Sequence, residues 1–295
     1  MNILLEGFAK TQPITPSFSS MTELDQSAGR KVFEVKLNQA NAGAISLIVN
    51  IPKNTKPQAS LPAVFLMSGF QTAGSLSELF GSEIGNNILV IMKYPLDDKK
   101  NILDGLDPQD AGQLTQFLKL PLGAAAALEW LKTSDFSDHM GVNVDTGKIN
   151  TVAISLGMLF LPAAQRISDL YGTYPATTVF AFGGGNLDLV LAHQAKVSPH
   201  RELAQYLVPW FSFFLKPFEP TEHVSKLSGN FLILGATDDQ VFPKDSLDAL
   251  IESTPAPKEV IMVDGNHIGL SQPERVRESF KIIKKWMLKK YSVNR

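Results

Sequence analysis

The sequence predicts an α/β fold: a mostly parallel, eight-stranded sheet flanked by helices, with a small inserted cap. Three observations carry that expectation. Six short runs, Ala63 to Met67, Ile88 to Met92, Ile149 to Ile154, Thr178 to Phe182, Phe231 to Leu234 and Glu259 to Val263, are apolar without alternation. Such runs need cover on both faces, as central parallel strands do. Amphipathic helical stretches lie between them, and a pair of alternating segments precedes them.

Taken in order, residues 1–30 are rich in Ser, Thr, Gln and Pro without periodicity and read as an arm lying over the domain or partly disordered. The domain itself spans 31–295. Lys31 to Leu37 alternates like a half-buried strand, Asn41-Ala42-Gly43 makes a turn, and Ala44 to Ile51 returns, which predicts an antiparallel hairpin. Helices are expected over Ala111 to Thr133, interrupted by Pro121, over Lys244 to Glu252, and over Pro273 to Lys290. The stretch 183–230 is too long for an ordinary connection between strands, so an insertion is expected at about 186–222. Its middle holds Tyr206, Trp210, Phe211, Phe213, Phe214 and Phe218, a density of aromatics that calls for burial. A cap over a site, a subunit interface and packing on the parent domain would each satisfy it. In the first case Trp210, Phe211 and Phe214 would contact substrate.

Composition narrows the chemistry. A content of 44% hydrophobic and 19% charged residues is that of a globular protein, and a net charge of -2 gives no general attraction to nucleic acid. The basic cluster Lys281 to Lys290 carries Ile, Trp and Leu on one helical face and reads as a solvated surface helix rather than a membrane anchor. The absence of cysteine removes disulfides, thiolate metal sites and a thiol nucleophile. The opening MNILLEGFAK lacks a basic n-region, so no signal peptide is read and a cytoplasmic location is the default. No His/Asp/Glu cluster has metal-ligand spacing. Gly69 to Ser75 has phosphate-loop glycines but no lysine before the serine, and Gly183-Gly184-Gly185 lacks dinucleotide spacing and reads as a tight turn, so no cofactor is expected.

One stretch does point to chemistry. Ile149 to Ile154 is a strand pattern, helical spacing starts at Leu156, and Ser155 falls at the junction, flanked at minus two and plus two by the small residues Ala153 and Gly157. A tight strand-to-helix turn needs small residues there, because the two backbones pass within contact distance, and it lifts the hydroxyl above the sheet edge. Small-Ser-small also occurs at plain helix caps, so the partners decide. A serine hydroxyl needs a base to take its proton, and a histidine does so best when a carboxylate holds its tautomer. Phe231 to Leu234 is followed by a polar loop containing Asp238 and Asp239. Glu259 to Val263 is followed by Asp264-Gly265-Asn266-His267-Ile268-Gly269, and of five histidines only His267 follows a strand with glycines on both sides. In a parallel sheet all these loops open on one rim.

With those residues in place, the chain resembles the α/β-hydrolases, in the compact branch of dienelactone-hydrolase-like and acyl-ester serine hydrolases, from about residue 31 to the C-terminus. The match rests on the elbow Ala153 to Gly157, Gly-x-x-Asp-x-x-Val at Gly235 to Val241, and Gly-x-His at Gly265 to His267. The resemblance implies Ser155 as nucleophile, His267 as base and Asp238 as acid, with Asp239 as the fallback and Asp264 structural. It also implies an oxyanion hole from the N–H groups of Leu156 and Phe70, although Ser68-Gly69 stands where the family often has His-Gly. Ala153 replaces the usual glycine, and Pro162 should kink or restart the helix after the elbow. The implied activity is hydrolysis of a small-molecule carboxylic ester with a hydrophobic acyl or alcohol group, through an acyl-enzyme. Peptide cleavage or acyl transfer by the same residues, and a non-catalytic binding protein on this fold, are the alternatives.

Overall fold

A computed structural model of the 295-residue chain describes residues 14–24, 29–69, 73–81, 83–94, 111–199, 201–269 and 271–293. Among the described residues nine strands form one sheet: β1 (Ser17–Leu24), β2 (Arg30–Gln39), β3 (Gly43–Pro52), β4 (Ser60–Met67), β5 (Ile88–Met92), β6 (Asn143–Ile154), β7 (Thr177–Ala181), β8 (Asn230–Ala236) and β9 (Lys258–Val263). Their order across the sheet is β1-β2-β3-β5-β4-β6-β7-β8-β9. From β5 through β4 to β9 all neighbours are parallel, whereas β1, β2 and β3 are antiparallel to one another and β3 is antiparallel to β5. The carboxyl ends of β4 to β9 therefore share a rim.

The helices are α1 (Ala73–Gly81), α2 (Ala111–Leu118), α3 (Leu120–Trp130), α4 (Ser134–Met140), α5 (Leu161–Asp169), α6 (Leu187–Val197), α7 (Arg201–Leu215), α8 (Pro220–Val224), α9 (Lys244–Ser253) and α10 (Pro273–Val293). Alternate residues of the central strands go to opposite layers. Phe65, Val90 and Ala153 join a core with Leu128, Trp130, Phe160 and Leu250, while Val64, Leu89 and Val152 join one with Leu76, Phe80, Phe280 and Trp286. Two covered faces explain why the central strands read as unbroken apolar runs. Pro121 falls in the first turn of α3, where its missing N–H costs nothing, so the stretch predicted as one interrupted helix is α2 followed by α3.

The sheet holds one strand more than expected, because Ser17–Leu24, read as part of an arm, pairs with β2 along its length. The rest of the arm up to residue 13 and residues 25–28 lie outside the described residues. At the other edge Val260 and Met262 of β9 are exposed, since only one face of that strand is covered.

Residues 183–230 emerge from the rim after β7 and return at β8. Their base is closed by Glu219, whose buried carboxylate accepts from the N–H groups of Asn186 and Leu187, both at 2.8 Å, and so neutralises the positive end of α6. The predicted burial of the aromatics is not found. No residue of α7 is buried, and Tyr206, Trp210, Phe211, Phe213 and Phe214 are exposed to solvent, with Phe218 beyond the helix the aromatic that enters the core. No helix among the described residues is long and apolar enough to cross a membrane.

Candidate active site

Ser155 leaves β6 with φ at +53°, a left-handed conformation that a non-glycine residue adopts at a cost of about 1–2 kcal/mol. The surroundings impose it. Ile154 keeps the extended β conformation, Ser155 opens a 3-10 turn to Leu159, and the chain restarts at Phe160 into α5 with Pro162 in its first turn. Gly157 is pressed so closely on β4 that a Cβ there would sit 2.2 Å from the Met67 carbonyl oxygen. The serine side chain is thereby held on the rim, and the first N–H groups of the turn, Leu156 among them, have no acceptor within it.

His267 follows β9. Its Nε2 lies 2.9 Å from Ser155 Oγ, and its Nδ1 lies 2.8 Å from Asp239 Oδ2. With Nδ1 donating to the carboxylate, Nε2 is left as the acceptor of the serine proton. Phe242 and Phe182 wall the imidazole, with ring centroids 5.7 and 6.4 Å away. They exclude water from one side of the pair and so strengthen it electrostatically.

The carboxylate partner is Asp239, which corrects the assignment of Asp238. Asp239 is the more enclosed of the two. Its Oδ1 accepts from the N–H groups of Val241 and Phe242 at 2.8 and 2.9 Å, and that turn directs Oδ2 at the imidazole. Asp238 faces solvent and accepts from the Thr237 hydroxyl at 3.1 Å. Its main chain has a different task, because Asp238 N donates to Gly265 O at 3.1 Å and Thr237 N to Val263 O at 3.0 Å. These bonds extend the β8–β9 ladder past the strand ends and lock the two loops together. The next residue, freed from the ladder, turns inward.

Other positioning groups carry no sequence motif. Arg275 on α10 donates to the carbonyls of Asp264 and Asn266, both at 2.9 Å, and so holds the loop bearing His267. Asp264 is in that sense structural, through its carbonyl. His193 and Gln194 on α6 reach the carbonyls of Gln240 and Val241 at 3.0 and 2.8 Å, tying the insertion to the loop that bears Asp239. An Arg among loop carbonyls and a His on a helix are too common in sequences to be singled out. The triple glycine after β7 is a tight passage: a Cβ on Gly184 would lie 2.0 Å from Ser246 Oγ.

An open, mostly apolar cavity of about 100 Å³ reaches Ser155 and is walled by Leu76, Phe80, Ile268, Val276 and Phe280. Trp210, Phe211 and Phe214, expected to contact substrate, do not line it; they stand exposed on α7. A larger cleft of about 260 Å³ beside Lys93 and Lys119 does not include the serine. Phe70, the second expected oxyanion donor, lies outside the described residues, and Ser68 and Gly69 at the start of its loop border the cavity. No cluster of three or more His, Cys, Asp or Glu among the described residues is placed to hold a metal ion.

No family model and no curated protein matches the chain. Solved structures do. The chain is similar to acetyl xylan esterase 1 from Thermoanaerobacterium sp. at 14% identity and a TM-score of 0.66, covering 96% of this chain and 92% of that one. It is also similar to the acetyl xylan esterase from Paenibacillus sp. R4 at 17% identity and 0.65, covering 95% and 92%. A hyperthermophilic esterase from Pyrobaculum calidifontis matches at 16% and 0.59, covering 97% and 88%. At such identities the likeness is one of architecture.

Proposed function

We propose that this chain, which has the α/β-hydrolase fold, is a serine hydrolase that cleaves carboxylic esters through an acyl-enzyme. The observation that carries the reading is the unbroken contact from Ser155 Oγ through His267 to Asp239, at 2.9 and 2.8 Å. Three side chains remote in sequence meet so that the serine proton can pass to His267 while Asp239 holds the imidazole in place. Esterases recur among the structural neighbours, which agrees with the reading.

In the mechanism, Ser155 Oγ attacks the ester carbonyl carbon while His267 Nε2 takes the hydroxyl proton. Asp239 holds Nδ1–H and steadies the imidazolium. The carbonyl oxygen becomes an oxyanion held by Leu156 N–H and by the loop after β4, where Phe70 is the proposed donor. The carbon–oxygen bond to the alcohol breaks, and His267 gives its proton to the leaving alkoxide. Water then attacks the acyl carbon, His267 takes its proton, and collapse releases the acid and returns the proton to Ser155.

The cavity beside Ser155 gives the acyl group an apolar wall. Esters with an apolar acyl group are the proposed substrates. A binding protein on this fold would use the exposed aromatics of α7 as its contact surface, but it would have no need of a strained serine joined to an imidazole. Hydrolysis of chromogenic acetate, butyrate and octanoate esters tests the proposal. Turnover that disappears in Ser155→Ala supports it; turnover unchanged in that variant contradicts it.

A further inference from the structure

Tyr94 lies just past β5, on the same rim as Ser155, and the chemistry above makes no use of it. Its hydroxyl donates to the Ser68 carbonyl at 2.5 Å. Its ring packs on Phe160, with centroids 6.0 Å apart and planes tilted by 57°. Ser68 is the first residue beyond β4, where the loop bordering the Ser155 cavity begins. Phe160 is fully buried and is the residue at which the turn opened by Ser155 passes into α5. One side chain thus touches both stretches of backbone that flank the nucleophile.

A peptide unit is rigid and planar, so a bond made through the Ser68 carbonyl fixes the orientation of the whole Ser68–Gly69 unit and the direction in which the chain leaves β4. Burial pushes the Tyr94 phenol well above its ordinary range, which keeps the hydroxyl a donor at every working pH.

We infer that Tyr94 is a positioning residue for the oxyanion site, holding the Ser68–Gly69 unit after β4 and the turn after Ser155, which carries the Leu156 N–H, in fixed register. The inference rests on the serine hydrolase reading. Donors that are preorganised act on the charge that develops in the transition state and hardly on the neutral ester, so loosening them lowers kcat and leaves KM nearly unchanged.

Tyr94→Phe removes one oxygen and keeps the ring on Phe160. For a short chromogenic ester, kcat should fall about tenfold with KM within about twofold, less than the loss from deleting an oxyanion donor outright. Affinity for a trifluoromethyl ketone, whose adduct with the serine carries an oxyanion, should fall by a similar factor, while the pH at half-maximal rate stays in place. Hydrogen exchange at the Ser68 and Gly69 amides should quicken in the same variant, a readout independent of turnover. Tyr94→Leu, which also loses the ring contact, should lower kcat further. Unchanged kcat and ketone affinity in Tyr94→Phe would overturn the role, as would equal losses in kcat, substrate binding and melting temperature. A wild-type protein that neither hydrolyses esters nor captures the ketone overturns the hydrolase reading and this inference with it; an active one indifferent to Tyr94→Phe overturns this inference alone.

Discussion

His267 Nδ1 lies 2.8 Å from Asp239 Oδ2, and the other oxygen of that carboxylate is held by two main-chain N–H groups. The carboxylate is therefore fixed before any substrate arrives, and the imidazole it orients presents the unprotonated nitrogen to Ser155. Asp239→Asn should lower kcat/KM for a short ester by about 10²–10⁴, since an amide at that position allows the wrong tautomer. Asp238→Asn should stay within about threefold of wild type. Equal losses in the two variants would reject the assignment.

The approach of Gly157 to β4 predicts a folding defect. A methyl group 2.2 Å from the Met67 carbonyl oxygen has main chain on both sides, and neither can step aside cheaply. Gly157→Ala should cost about 2–4 kcal/mol in chemical denaturation and displace Ser155 from His267. A variant with wild-type stability would show that the elbow is looser than described.

Asp169 predicts a pH dependence of stability. Burial pushes its carboxyl up to about 6, with Arg166 at 3.7 Å offsetting part of the shift. Because the unfolded value is lower, near 3.8, the folded state binds the proton more tightly. Its contribution to stability is complete below the unfolded value and is lost as pH rises through about 6. Asp169→Asn, which cannot ionise, should be more stable than wild type at pH 8 by about 1–3 kcal/mol, with the gap closing at pH 4. Thermal melts at the two pH values check this; a gap that does not change with pH would contradict it.

Specificity should follow the cavity and not the aromatic helix. Trp210→Ala is expected to leave kcat/KM for acetate esters within about twofold, because that side chain is exposed and away from the serine. Leu76→Ala enlarges the wall beside Ser155 and should shift the preferred acyl chain upward by about one or two carbons, at a stability cost of about 2–4 kcal/mol. The reverse pattern, with chain length controlled from α7, would reassign recognition to the insertion.

The central strands were legible because burial on both faces leaves an unbroken apolar run, and the observed strands β4 to β9 each contain or overlap their run, although β6 starts at Asn143, six residues before its run, in a stretch that is not buried. Ser17–Leu24 was not, because an edge strand exposed on both faces needs neither apolar residues nor alternation and so resembles a polar arm. Ser155 and His267 stood out because each is placed by the end of a strong strand. The choice between Asp238 and Asp239 was hidden, since it depends on how far the β8–β9 ladder continues past the strand ends. The aromatics of α7 misled because composition reports that burial is wanted, not that it is obtained. Tyr94 and Arg275 act through main-chain carbonyls, and no spacing rule marks such contacts.

The most direct test of the central claim is intact-mass analysis after treatment with a fluorophosphonate, followed by peptide mapping of the adduct. A single adduct on Ser155, absent in Ser155→Ala and formed at least about a hundredfold more slowly in His267→Ala, is the predicted result. Folded wild-type protein that takes up no adduct, or takes it up equally without His267, would contradict the account.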